Sequence, residues 1–137
     1  MITANGYSKD PSIMPEGIAV TLPVQFFEDR KMTPADFEKY FVRLMANEDM
    51  LWNYRLTNLP KLDVIYVYFI FDGFLQYRLN LVMYERNKTK SFSDTPRRLQ
   101  RTFEKCNWVV CSGPAVKCPY DRTLKGFQGF RYTTKLF

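Results

Sequence analysis

Lys125 to Tyr132, KGFQGFRY, interleaves Lys125 and Arg131 with Phe127, Phe130 and Tyr132 around two glycines. Such a stretch suits a nucleic acid. Glycine permits close backbone approach, aromatic faces stack on bases for about 1–3 kcal/mol each, and cations hold phosphates. The same residues also suit a bulged last strand whose aromatics complete a core. Two further sets carry comparable chemistry: the aromatic pair Trp52 and Tyr54, and the cations Arg97, Arg98, Arg101 and Lys105. Histidine is absent from the 137 residues, which removes Ser-His-Asp and Cys-His catalysis and His-ligated zinc. The sequence carries no P-loop, dinucleotide-binding GxGxxG, HExxH or EF-hand pattern. Glu28-Asp29 and Glu48-Asp49 bracket a helical pattern and read as its solvated ends, not as an acid/base couple. Cys106, Cys111 and Cys118 are odd in number and lack CxxC spacing, so reduced thiols are expected, without a disulfide framework or a metal site. No cofactor is implied. A catalyst built from this chain would have to use Lys, Glu, Asp, Thr or Tyr, and no spacing selects one.

Charge is segregated along the chain. Residues 1–85 carry eight basic and eleven acidic side chains, whereas 86–137 carry twelve basic and three acidic. A strongly cationic second part concentrates positive potential and favours a polyanionic partner, since bound phosphates release counterions. The start, MITANGYSKDPS, lacks the basic and apolar regions of a signal peptide, and no apolar run approaches 18 residues. The expectation is a cytoplasmic protein with no membrane partner.

The elements that must position these residues read as one domain. At 46% hydrophobic and 17% aromatic the chain can form a core, and a domain of this length buries roughly two thirds of its unfolded surface. Residues 1–16 read as a flexible arm and 17–137 as the globular part. Residues 18–27, IAVTLPVQFF, read as a strand with a bend at Pro23. Thr33, Pro34 and Asp36 mark a helix start, and Phe37, Tyr40, Phe41, Leu44 and Met45 give it one apolar stripe. WNYRLTNLPKLD then reads as a connection. Residues 64–71 and 74–84 flank Asp72-Gly73, the signature of a two-residue hairpin turn. A regular ladder from Phe71 and Phe74 sets Tyr68 opposite Tyr77 and Tyr66 opposite Leu79, and sets Val67 opposite Arg78 on the other face. Residues 86–105 read as a basic loop leading to a short second helix from Thr95, residues 107–111 and 115–118 as two short strands, and the C-terminal aromatics as a closing strand. The fold class expected is α+β and mostly antiparallel.

KGFQGFRY resembles the RNP1 pattern of RNA-recognition domains, with Gln128 as an inserted residue that changes which aromatics share a face. The chain as a whole resembles the PUA-like superfamily, the ASCH and EVE domains included. The resemblance rests on Trp52-Asn53-Tyr54-Arg55, the hairpin DVIYVYFIFDGFLQYRLNLVMYE, the strand NWVV and GFQGFRY, and it covers most of residues 18–137. It implies a small, mostly antiparallel β-barrel with a helix against it, and a cleft that accepts nucleic acid or a modified base.

The function expected is therefore a non-catalytic nucleic-acid-binding module, with RNA favoured and a nucleotide as a smaller version of the same ligand. Trp52, Tyr54, Phe127 and Phe130 are candidate stacking residues. Arg78, Arg97, Arg98, Arg101, Lys125 and Arg131 are candidate phosphate or base-edge contacts. Two rivals fit the same composition: a protein-interaction or inhibitor module of the phage or mobile-element kind, and a small histidine-free hydrolase or nuclease.

Overall fold

The computed structural model describes residues 7–8, 14–94 and 99–137. The chain forms β1 (Tyr7–Ser8), β2 (Gly17–Thr21), α1 (Val24–Arg30), α2 (Pro34–Leu44), β3 (Leu51–Leu56), β4 (Tyr66–Phe71), β5 (Phe74–Asp94), β6 (Leu99–Lys117) and β7 (Phe130–Thr133). Among the described residues the strands make one sheet in the order β1-β7-β2-β4-β5-β6-β3. The β2–β4 pair is parallel and the rest are antiparallel, so the fold is α+β as expected. β1 and β3 are the two ends of this order, and no pairing among the described residues joins them into a closed barrel. Most of the expected arm lies outside the described residues. By Glu16 the chain is fixed, because its carbonyl accepts from Ile65 and Tyr66 and its carboxylate accepts from the Lys135 amide.

The helix expected from Thr33 is present as α2, with the Thr33 hydroxyl accepting from the Asp36 amide at 3.1 Å and Pro34 in the first turn. Its stripe is core: Phe37 and Phe41 are buried, and Phe37 meets Phe26, Phe27, Phe41, Trp52 and Phe71 ring to ring. The strand expected over 18–27 ends at Thr21 instead. Proline has no N–H for a ladder and holds φ near the helical value, so Pro23 caps α1 and Phe26 and Phe27 turn back as a helix over the sheet.

Asp72 and Gly73 both take positive φ, 54° and 77°, as the hairpin signature requires. Phe71 pairs with Phe74 and Ile70 with Leu75, but the register then slips by one, so Phe69 faces Tyr77, Tyr68 faces Arg78 and Val67 faces Leu79. Gln76 is the extra residue, and its side-chain amide donates to the Phe71 carbonyl at 2.9 Å. The bulge corrects the regular ladder. Val67, Phe69, Tyr77 and Leu79 share the core under the helices, while Tyr68 and Ile70 lie in a second core on the opposite face with Ala19, Leu75, Cys118 and Leu124. β4 is thus buried on both faces, which explains its unbroken apolar sequence.

Three expectations about the second half are corrected. Residues 52–55 form the edge strand β3, paired with β6 from Leu51–Ser112 to Leu56–Asn107. Of the expected loop and helix over 86–105, residues 95–98 lie outside the described residues, and residues 86–94 and 99–105 are the outer parts of β5 and β6, paired from Lys88–Cys106 to Asp94–Leu99. Their alternation of large or cationic residues with Thr and Ser is a strand period, which outweighs the capping signal at Thr95. The two strands expected over 107–118 are one, and Ser112-Gly113-Pro114 lies within it.

Gly113 sits where β6 passes the end of α2. A side-chain carbon there would stand 2.4 Å from the Asn47 carbonyl oxygen and 2.8 Å from that of Met45. The Ala115 amide donates to Met45 at 2.7 Å, so neither backbone can yield cheaply. Gly113→Ala is expected to destabilise the fold by about 1–3 kcal/mol in urea unfolding. An unchanged midpoint would contradict this close approach.

Candidate ligand cleft under the basic ribbon

The outer β5–β6 ribbon has two unlike faces. On one, the Ser91 and Thr102 hydroxyls bond to each other at 2.8 Å. On the other, Phe92 pairs with Arg101 and Lys90 with Phe103, so strand alternation sets two cations and two aromatics on one side. Phe92 and Phe103 both meet the Trp108 ring, at centroid distances of 5.5 and 5.8 Å. Trp108 is buried, and its indole N–H donates to the Lys88 carbonyl at 2.9 Å.

A cleft of about 620 Å³ separates this face and β3 from the two helices. That volume lies within the range of about 300–1,000 Å³ typical of small-ligand sites. α1 and α2 contribute Phe26, Asp29, Arg30, Phe37 and Tyr40, β3 contributes Leu51 to Arg55, and the ribbon contributes Phe92, Ser93, Arg101 and Phe103. Trp52 packs edge-on against Phe41 at 5.3 Å, which fixes one aromatic wall. The Tyr54 hydroxyl donates to the Thr21 carbonyl at 2.7 Å and is thereby committed to the scaffold.

Cations outnumber anions here. Arg55 lies 4.7 Å above the Phe103 ring, and Arg101 donates to the Asp29 backbone carbonyl at 3.4 Å near the C-terminal end of α1. Neither has a carboxylate partner among the described residues, so both guanidinium groups can take an anion. Asp29 is the lining carboxylate, and its side chain accepts from Gln25 at 2.6 Å. Planar aromatic walls beside guanidinium groups that have no carboxylate partner among the described residues suit a flat ligand that carries negative charge.

The residues expected from sequence divide. Trp52, Tyr54 and Arg101 line this cleft, and Arg97 and Arg98 lie outside the described residues, between the paired ends of β5 and β6. Arg78 is engaged elsewhere, stacked 4.4 Å from the Tyr66 ring and donating to the Phe137 carbonyl. Lys125 is exposed. Phe127 packs on the second core with Arg131 4.8 Å from its ring, whereas Phe130 packs on the first core beside Tyr132. KGFQGFRY therefore spreads its aromatics over both cores, and none of Arg78, Lys125, Phe127, Phe130 and Arg131 lines the cleft. Asn53, Arg55, Phe92, Phe103 and Trp108 join the site instead. The period-two pattern of residues 88–93 and 101–103 is the signal that points to the ribbon residues.

Burial pushes the Tyr54 phenol up to about 12, with the nearby Arg55 charge offsetting it in part. Tyr77 and Tyr84 are raised as well, chiefly by burial, with the Glu38 carboxylate adding to the shift at Tyr77. An unfolded tyrosine ionises near 10. Above that pH the unfolded chain has lost protons that the folded one keeps, so stability is full below about pH 10 and falls as pH rises through 12. Tyr54→Phe is expected to lose about 0.5–1.5 kcal/mol in urea unfolding and to remove a phenol titrating near 12 in alkaline absorbance titration. Superimposable titrations of the two proteins would contradict this burial.

Comparison with protein-family models, with curated proteins and with solved structures finds no match.

Proposed function

We propose that the protein binds single-stranded nucleic acid, RNA in the first place, with bases entering the cleft and phosphates held by the ribbon. The observation that carries this reading is the juxtaposition of Arg55 and Arg101, both without carboxylate partners among the described residues, with the aromatic walls Trp52, Phe92 and Phe103. The described ribbon residues 86–94 and 99–105 hold five basic and two acidic side chains, which supports a cationic track along the ribbon. Splayed bases stack on such walls irrespective of sequence, and cations set affinity.

The proposal includes a relationship to the PUA-like superfamily, with the sheet read as an opened form of its barrel. The contact of α2 with β3, β4 and β5 through Trp52, Phe69, Phe71 and Tyr77 supports it. The three free thiols support a cytoplasmic setting.

A protein partner is the second reading, and one observation favours it. β3 ends the strand order and pairs on one side alone among the described residues, which would suit strand addition by an extended peptide. Backbone pairing of that kind would persist at salt concentrations that strip a polyanion.

Fluorescence anisotropy of labelled single-stranded RNA, from low to physiological salt, tests the first reading. Wild type is expected to bind with a steep salt dependence. The double variant Arg55→Glu, Arg101→Glu is expected to weaken binding at least about tenfold and to flatten the log–log salt slope by about 1.4 for two lost phosphate contacts. Equal affinities for variant and wild type would overturn this assignment.

A further inference from the structure

Asn53 stands in the middle of β3 and lines the cleft, whereas Lys90 does not. The Lys90 ammonium lies 2.7 Å from the Asn53 side-chain oxygen and 2.5 Å from a Glu85 carboxylate oxygen, with the Trp108 ring beside it at 5.8 Å. An ammonium only donates, so its contact fixes which end of the amide is oxygen. The carbonyl end is thus taken up by Lys90, and the NH2 end of this cleft-lining side chain is the one left for a ligand. That NH2 group has no hydrogen-bond partner among the described residues. Arg55, two residues along the same strand, and Arg101 also line the cleft and are donors alone, whereas Asp29 and Ser93 are lining groups that can accept.

We infer that this wall selects a pyrimidine with a keto group at the 4-position over one with an amino group there, with Asn53 as the reading residue and the Lys90–Glu85 pair as its positioning device. The inference rests on the nucleic-acid reading above and names the ligand chemistry of that same cleft. Uracil and cytosine have the same size and share the 2-oxygen, and they differ at the 4-position, oxygen in one and NH2 in the other, and at N3, which donates in uracil and accepts in cytosine. The Asn53 NH2 donates to the 4-oxygen. Against an amino group it meets a second donor, and both are left unpaired on burial, a mismatch that discriminates better than shape alone.

The experiment compares oligouridine and oligocytidine of equal length by anisotropy at one low salt concentration, on wild type and on Asn53→Asp. The substitution is isosteric, keeps an oxygen for Lys90 and replaces the donor with an acceptor. Its added charge weakens both polymers alike, so the readout is the ratio of affinities. Wild type is expected to prefer oligouridine by about threefold to tenfold, and Asn53→Asp to abolish or reverse that preference. If Asn53→Asp does not fold by circular dichroism, Asn53→Ala removes the donor without a new charge and must bring the ratio to one. Salt-dependent binding of both polymers with a wild-type ratio of one, or a preference retained in the variants, overturns the inference and leaves nucleic-acid binding standing. Binding of neither polymer by wild type overturns both.

Discussion

The docking of α2 through Phe37 and Phe41 is the contact on which the remaining architecture depends. These two rings reach Trp52 on β3, Phe69 and Phe71 on β4, and Tyr77 on β5, so one helix face ties three strands to one position. Phe37 also holds α1 through Phe26 and Phe27. Aromatic pairs of this kind contribute about 0.5–1.5 kcal/mol each beyond the area they bury. Because the helices are fixed on the sheet at this point and the ribbon runs on from β5 and β6, a gap must remain between them. The cleft is that gap, and its aromatic lining is a continuation of the core.

The two faces of the sheet are used differently. The helices cover one, and the C-terminal segment covers part of the other, where Tyr68 accepts from the Leu136 amide at 2.9 Å and Arg78 is taken up by Phe137. The bulge at Gln76 decides this division, since without its slip Arg78 would share a face with Val67. One extra residue in a hairpin thus moves an arginine from the helix side to the C-terminal side. Arg55 and Arg101 are left in the cleft with no salt bridge among the described residues.

Much of this was legible in the residues, and the failures have physical causes. The α2 cap and stripe and the Asp72-Gly73 turn follow from local rules that tertiary structure did not overrule, whereas the burial of β4 on both faces shows only once the second core is in view. The register beyond Ile70 did not follow from such rules, because a bulge leaves no mark in an alternating pattern that tolerates Gln76 at either face. Thr95-Pro96 resembles a helix start in isolation, yet the alternation on both sides of it is that of strands, and β6 supplies the partner that propensity alone cannot foresee. The candidate site divides in the same way. Trp52, Tyr54 and Arg101 were legible as aromatic and cationic residues, whereas Asn53 becomes informative only once Lys90 is seen to hold its oxygen.

The central claim is that bases enter the gap between the helices and the ribbon. Photocrosslinking of an oligonucleotide carrying 5-iodouracil, followed by mass-spectrometric mapping, locates the bound base without assuming its orientation. Crosslinks at Trp52, Tyr54, Phe92 or Phe103 are the expected result, since these rings line the cleft. Crosslinks confined to Phe127 and Phe130, on the KGFQGFRY segment outside it, would contradict the claim.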